Sequence, residues 1–265
     1  MGDAITGAIV GDIVGSRFEF NNNRSKDFEL FATESHITDD TIMTLAVAEA
    51  LRLRDKEAVG ETMHKIAREF FDYPGAGWGG RFAQWIASNS PQPYNSLGNG
   101  SAMRVSAVAL TGKTAGEVLD LARQVTEVSH DHPEGIRGAQ AVATAIFMAL
   151  HGNNIGEIRK RMDEDYYKVG FTIDEIRESY RFNETCAGSV PQALAAFYES
   201  VGFEDAIRNA VSIGGDSDTI AAITGSIAGA FYGVPAEYIP EIEVRLPARL
   251  LGIYRYAREE LESGF

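Results

Sequence analysis

Glycine recurs every fourth residue at Gly7, Gly11 and Gly15, and the pattern returns near the C-terminus as Ala221, Gly225 and Gly229. Four-residue spacing puts such positions on one face of a helix. Glycine inside a helix costs about 1 kcal/mol against alanine, so the fold must recover that loss. Close approach of two backbones does so, and the stripes predict two buried central helices that pass near one another. Helical spacing dominates elsewhere too, in Ile42–Leu51, Val118–Val125, Ala139–Leu150 and Val190–Phe197. Two long segments follow, from about 219 to 232 and from about 241 to 261. Only 28–31 and 166–171 alternate weakly, as strand candidates. The pattern is that of one all-α domain over residues 1–265, with ten or so helices and no linker or repeat.

Composition narrows the function. With 265 residues, 45% of them hydrophobic, the chain can bury a core unaided. Its net charge of −14 repels phosphate backbones, so no nucleic-acid partner is expected. One phosphate-bearing small molecule, held by aimed backbone donors or a metal ion, remains compatible. The apolar run from Ala139 to Leu150 falls well short of the ~20 residues of a membrane span. The N-terminus has no basic region before its apolar run, and the single cysteine, Cys186, excludes an internal disulfide. A cytoplasmic, membrane-free protein is the expectation.

The chemistry concentrates in two segments. Thr38-Asp39-Asp40-Thr41 and Gly214-Gly215-Asp216-Ser217-Asp218-Thr219 each put two aspartates and a threonine at the start of an apolar helix. Helix capping is the simpler reading of any single Asp-Thr pair there. A cap needs one acceptor, however, and each segment supplies two carboxylates plus hydroxyls. Crowded buried carboxylates must take up protons or be neutralised by a cation. Should the segments meet, four carboxylates can hold two hard ions about 3.5–4 Å apart. Zinc is disfavoured, because the histidines and lone cysteine lack ligand spacing. Mg²⁺ or Mn²⁺ suits the oxygen set.

Other candidates are weaker alone. Glu19 sits between Phe18 and Phe20, where an apolar setting would suit acid/base work, though a surface ion pair explains it as well. The glycine-rich stretches 74–80 and 97–104 precede helical patterns and could cradle a diphosphate, yet match no nucleotide-binding fingerprint. Trp78, Trp85 and Tyr94 read as core aromatics or as a face for a base. Ser129-His130-Asp131-His132 reads as a polar loop before a helix that starts at Pro133, without a nucleophile elbow. Cys186 reads as filler.

Taken together, these segments resemble the ADP-ribosylglycohydrolase family. The match runs in order through GAIVGDIVGSRFE, TDDT, GAGWGG, GNGSAMR, SHDHPEGIRGA, SVPQAL and GGDSDTIAAITGSIAGAFYG, from Gly7 to Gly233. The resemblance implies a compact orthogonal helical bundle with two divalent ions, Mg²⁺ or Mn²⁺, at the base of a cleft. It implies Thr38, Asp39, Asp40, Asp216, Asp218 and Thr219 as metal ligands. Glu19 becomes the acid/base, a role that Asp39 or Asp40 could share. Ser96, Gly98, Asn99 and Gly100 correspond to the loop for the diphosphate and adjoining ribose. His130 corresponds to a ligand-side histidine, and Gly75, Gly77 and Gly79 to the lining of the distal ribose.

The implied activity is hydrolysis of the glycosidic bond between ADP-ribose and an acceptor on a modified protein or small molecule. Arginine is the first acceptor expected; serine, a nucleobase or a small ADP-ribosyl compound are the alternatives. A non-catalytic ADP-ribose-binding or crystallin-like descendant is expected to lose ligands, and none is lost here. Three departures stand out. The chain is shorter than the vertebrate members, Ser217 replaces a frequent threonine, and Leu97 replaces an aromatic found in some relatives, leaving Tyr94 as the stacking candidate.

Overall fold

In the computed structural model, which describes residues 2–53 and 58–265, fourteen α-helices follow one another. They are α1 (Ala4–Gly15), α2 (Asp39–Arg52), α3 (Val59–Glu69), α4 (Gly80–Ala87), α5 (Ser106–Thr111), α6 (Ala115–Glu127) and α7 (Pro133–Leu150). Then come α8 (Ile155–Asp165), α9 (Ile173–Ile176), α10 (Cys186–Tyr198), α11 (Phe203–Ile213), α12 (Ser217–Tyr232), α13 (Ile239–Glu243) and α14 (Ala248–Glu260). The expected all-α class is observed. Among the described residues there is no strand, only an isolated antiparallel bridge between Gly98 and Thr185. Among those residues no helix is long and apolar enough to cross a membrane.

The glycine stripes meet as expected. Helices α1 and α12 run antiparallel at backbone contact. A Cβ on Gly7 would lie 2.1 Å from the Gly225 carbonyl oxygen, and one on Gly11 2.0 Å from that of Ala221. At the far end a Cβ on Gly15 would stand 2.5 Å from the Cα of Asp218. Every residue of α1 is buried, as is α12 from Ser217 to Ala230. The close approach offsets the helix cost of glycine, and it fixes where chemistry can occur. The C-terminal end of α1 lies beside the N-terminus of α12.

Two sequence expectations need correcting. Residues 28–31 and 166–171 are irregular loops, not strands. Their aromatics are anchored one by one: Phe28 lies edge-on to Phe18 at 5.1 Å, and Phe31 edge-on to Tyr238 at 5.1 Å. The segment 241–261 is not continuous either. It divides into the end of α13 and the whole of α14, because Pro247 lacks an N–H and disfavours helical geometry at Leu246.

Candidate active site

The acidic wall of the cleft is assembled where α2 and α12 both begin, against the end of α1. Thr38 caps α2, its Oγ1 accepting from the Asp40 N–H at 3.2 Å. Asp216 precedes α12, and Asp218 lies in its first turn. Both starts present the positive end of a helix dipole to the carboxylates. Between them stands Asp12, fully buried on α1. Its carboxylate accepts from the Thr38 N–H at 2.9 Å, the Thr38 hydroxyl at 2.7 Å, the Thr41 N–H at 3.1 Å and the Thr41 hydroxyl. Asp12 thus ties the start of α2 to α1.

Carboxylate oxygens of Asp12, Asp40 and Asp218 lie within 4.8 Å of one another, as do those of Glu19, Asp216 and Asp218. Asp218 belongs to both groups. Thr219 Oγ1 donates to Asp40 Oδ2 at 3.1 Å, and Asn99 Nδ2 to Asp216 Oδ2 at 2.6 Å. Asp40 Oδ1 and Asp218 Oδ1 are buried with no hydrogen-bond partner at all. Burial raises Asp39, Asp40 and Asp218 well above the usual carboxylate range, and repulsion from neighbouring acids adds to it. Asp216 and Asp12 are also raised by burial, although their hydrogen bonds pull the other way. Glu19 is pushed up to about 7 by burial first, then by Asp216 and Asp12. Such a wall either retains protons or takes a cation. Orphaned oxygens on Asp40 and Asp218, with hydroxyls but no thiolate or imidazole among them, fit hard divalent ions.

The opposite wall is basic, and backbone hydrogen bonds hold its loop, although the buried Arg104 Nε has no partner. The loop Ser96–Gly100 is pinned to the segment before α10 by Asn99 N–H to Glu184 O at 2.8 Å and Cys186 N–H to Leu97 O at 3.0 Å. Cys186 is structural: its thiol, pushed up to about 12 by burial, donates to Gly98 O at 3.2 Å. Arg81 and Arg104 line this side, with Arg81 over the Tyr94 ring at 4.8 Å. Burial lowers the guanidinium of Arg104 to about 10, and His130 is held well below the ordinary histidine range by burial, Arg104 and Arg81.

One cleft gathers most of the residues singled out from sequence. Glu19, Asp39, Asp40, Asp216, Asp218 and Thr219 line its acidic side; Ser96, Gly98, Asn99, Gly100 and His130 line the other. Gly77 and Gly79 complete the rim, and a Cβ on Gly77 would be 3.7 Å from Asp39 Oδ1. Asp39 is on the wall but outside both close carboxylate groups. Thr38 and Gly75 do not line the cleft. The Thr38 hydroxyl is committed to Asp12, and Gly75 packs on the His36 imidazole, where a Cβ would be 2.7 Å from Cδ2.

The segment 129–132 divides its duties: His130 faces the cleft, while His132 caps α7 through the Glu134 N–H at 3.0 Å. Trp85 is buried and stacked on Phe82 at 5.1 Å, whereas Tyr94 borders the cleft. Sequence reasoning missed Asp12 and Arg104. The available signal for Asp12 was a single charge inside an otherwise apolar, glycine-striped helix.

Fold and site together define an all-α protein whose acidic cleft could hold divalent cations. The chain belongs to the ADP-ribosylglycohydrolase family, whose model matches residues 2–263, and it is an enzyme of that class. It is 26% identical to ADP-ribosylhydrolase ARH3 of Mus musculus, over 89% of this chain and 84% of that protein. It is also 26% identical to the ADP-ribosylarginine hydrolase Tri1 of Pseudomonas putida (strain GB-1), over 90% of this chain and 73% of that one. Among solved structures, an ADP-ribosylglycohydrolase-related protein complex shares the fold, with a TM-score of 0.70 at 24% identity and 95% coverage of both chains.

Proposed function

We propose that this enzyme is a hydrolase, dependent on Mg²⁺ or Mn²⁺, that splits the N-glycosidic bond between ADP-ribose and arginine. The observation that carries it is the pair of carboxylate groups sharing Asp218, with buried oxygens of Asp40 and Asp218 left without partners. Two ions would be held by Asp40, Asp216, Asp218 and Thr219, with Asp39 and Glu19 beside them. Bound there, they would supply Lewis-acid grip on a ribose diol and a lowered pKa for water.

The chain's own groups account for the rest. Cleavage at the anomeric carbon develops oxocarbenium character, so a nucleophilic water must lose a proton and the leaving nitrogen must gain one. Glu19, with its pKa near neutrality in the absence of ions, is suited to proton transfer on the acidic side. Asp12 fixes the start of α2 and so the aim of Asp39 and Asp40. Arg81 and Arg104 give the far wall positive charge, against which a diphosphate would lie. Arginine as acceptor is supported by the name of the Pseudomonas putida relative.

Purified protein would be incubated with ADP-ribosyl-arginine and ADP-ribosyl-serine peptides, each with Mg²⁺, Mn²⁺ or excess chelator, and free ADP-ribose quantified. Metal-dependent release from the arginine peptide is expected. Release from the serine peptide alone would move the acceptor; release from neither would overturn the hydrolase reading for both linkages.

A further inference from the structure

Resting on the reading of this cleft as an ADP-ribose site, we propose that Arg104 and Ser129 are positioning residues. They hold His130 as its neutral Nε2–H tautomer and so aim a hydrogen-bond donor at an oxygen of the bound ADP-ribose.

The chain of contacts is short and directional. Arg104 is 1% exposed, yet no carboxylate pairs with it among the described residues. Its Nη2 donates to the Val125 carbonyl at 3.0 Å and to Ser129 Oγ at 2.9 Å. A guanidinium only donates, so the serine oxygen accepts there. That oxygen lies 2.8 Å from His130 Nδ1. Ser129 is fully buried, and its hydroxyl has no other acceptor among the described residues. If Nδ1 carried the proton, the serine proton would be left unpaired in a dry site, which is disfavoured. The proton of Ser129 therefore goes to Nδ1, and the imidazole keeps its own on Nε2.

The ring is also fixed in direction. The Ser129 carbonyl accepts from the Tyr94 N–H at 3.1 Å, and the His130 N–H donates to Thr126 O at 2.8 Å. The Tyr94 and Phe82 rings stand 5.6 and 6.1 Å from the imidazole. Nε2 faces the glycine loop: a Cβ on Gly98 or Gly100 would be 3.5 or 3.3 Å from it. Nε2 makes no hydrogen bond among the described residues, and the ring borders the cleft. Burial and the two nearby arginines keep the ring uncharged near neutrality. A neutral N–H recognises a phosphate or ribose oxygen and rejects a donor in the same place.

The test is the nitrogen-15 spectrum of the imidazoles in histidine-labelled, Mg²⁺-loaded protein, with His130→Gln identifying the resonance. The expected free protein has Nε2 protonated and Nδ1 bare, and ADP-ribose shifts the Nε2 signal. Ser129→Ala should mix the tautomers and raise the ADP-ribose Kd about 2- to 10-fold, the worth of one hydrogen bond; Ser129→Thr should restore both. A proton on Nδ1 in the wild type, or an Nε2 signal unmoved by ADP-ribose that binds, overturns the proposal. The tautomer is read without turnover. Nδ1–H with metal-dependent release intact would overturn this relay alone. Nε2–H with no release from any conjugate would support the relay and overturn the hydrolase reading.

Discussion

The two walls of one cleft solve the burial of polar groups in opposite ways. On the basic wall, the loop Ser96–Gly100 is satisfied by backbone bonds, and Ser129 bridges Arg104 to His130. On the acidic wall, six carboxyl groups from three segments crowd together, all raised, and two buried oxygens have no partner. The first wall leaves one buried orphan, the Nε of Arg104, on a group that already carries its own charge. The second is complete only with protons or cations. A buried polar group left unpaired costs free energy, so such a surplus persists where a ligand supplies the missing charge.

Asp218→Ala removes the residue common to both carboxylate groups and should have the largest effect. Turnover should fall on the order of 10³-fold, as several kcal/mol of metal stabilisation are lost at about 1.4 kcal/mol per decade. An Asp218→Ala protein with normal activity in a steady-state assay would end the idea that the acidic wall is the reacting side.

Gly11→Ala tests the packing that brings the acids together. Its new Cβ would meet the Ala221 carbonyl oxygen, and overpacking of this kind costs about 1–3 kcal/mol. Denaturant midpoints should show it against Gly252→Ala on α14, where nothing lies within 4 Å and helix propensity should add up to about 1 kcal/mol. Equal effects at the two sites would remove the account of the glycine stripes.

Asp12→Asn replaces an acceptor of four hydrogen bonds by a group that must turn a donor toward some of them. Metal affinity should fall about 10- to 100-fold, as when an outer partner of a ligand is lost. Unchanged Mn²⁺ affinity by calorimetry would leave Asp12 a packing residue only.

The smallest effect is on pH dependence. A carboxylate raised in the folded state contributes stability that is full below its unfolded pKa and is lost as pH rises through the folded one. For Glu19 that window runs from the ordinary value of 4.5 to about 7, and the raised aspartates act in the same direction. His130, held neutral, pulls oppositely. Chelated protein should therefore lose stability from pH 5 to 8, while the rise in Tm on adding Mg²⁺ should grow over the same range. A Mg²⁺ effect that shrinks with rising pH would show that protons and cations do not compete for this wall.

Local pattern was readable where one short stretch carries its own physics. The glycine stripes point to the α1–α12 contact because glycine in a helix has few other uses, and the start of α2 follows from capping by Thr38, whereas Asp216 before α12 makes no side-chain cap. Thr38 was legible as a cap, yet nothing local reveals that its hydroxyl also serves Asp12. Asp12 and Arg104 gain meaning only from partners 26 and 25 residues away in the chain. The break before α14 was present as Pro247, overridden by the apolar spacing on either side of it. The loop at 28–31 imitates a strand because its bulky apolar side chains are anchored separately, Phe28 on Phe18 and Phe31 on Tyr238, and not on a shared sheet face.

The most direct test of the acidic wall is Mn²⁺ binding by the purified wild-type protein, with stoichiometry from calorimetry and coupling from electron paramagnetic resonance. Two ions per chain, close enough to couple magnetically and both lost in Asp218→Ala, is the predicted result. A wild-type protein that binds no Mn²⁺ at neutral pH, while its carboxyls retain their protons, would contradict the account.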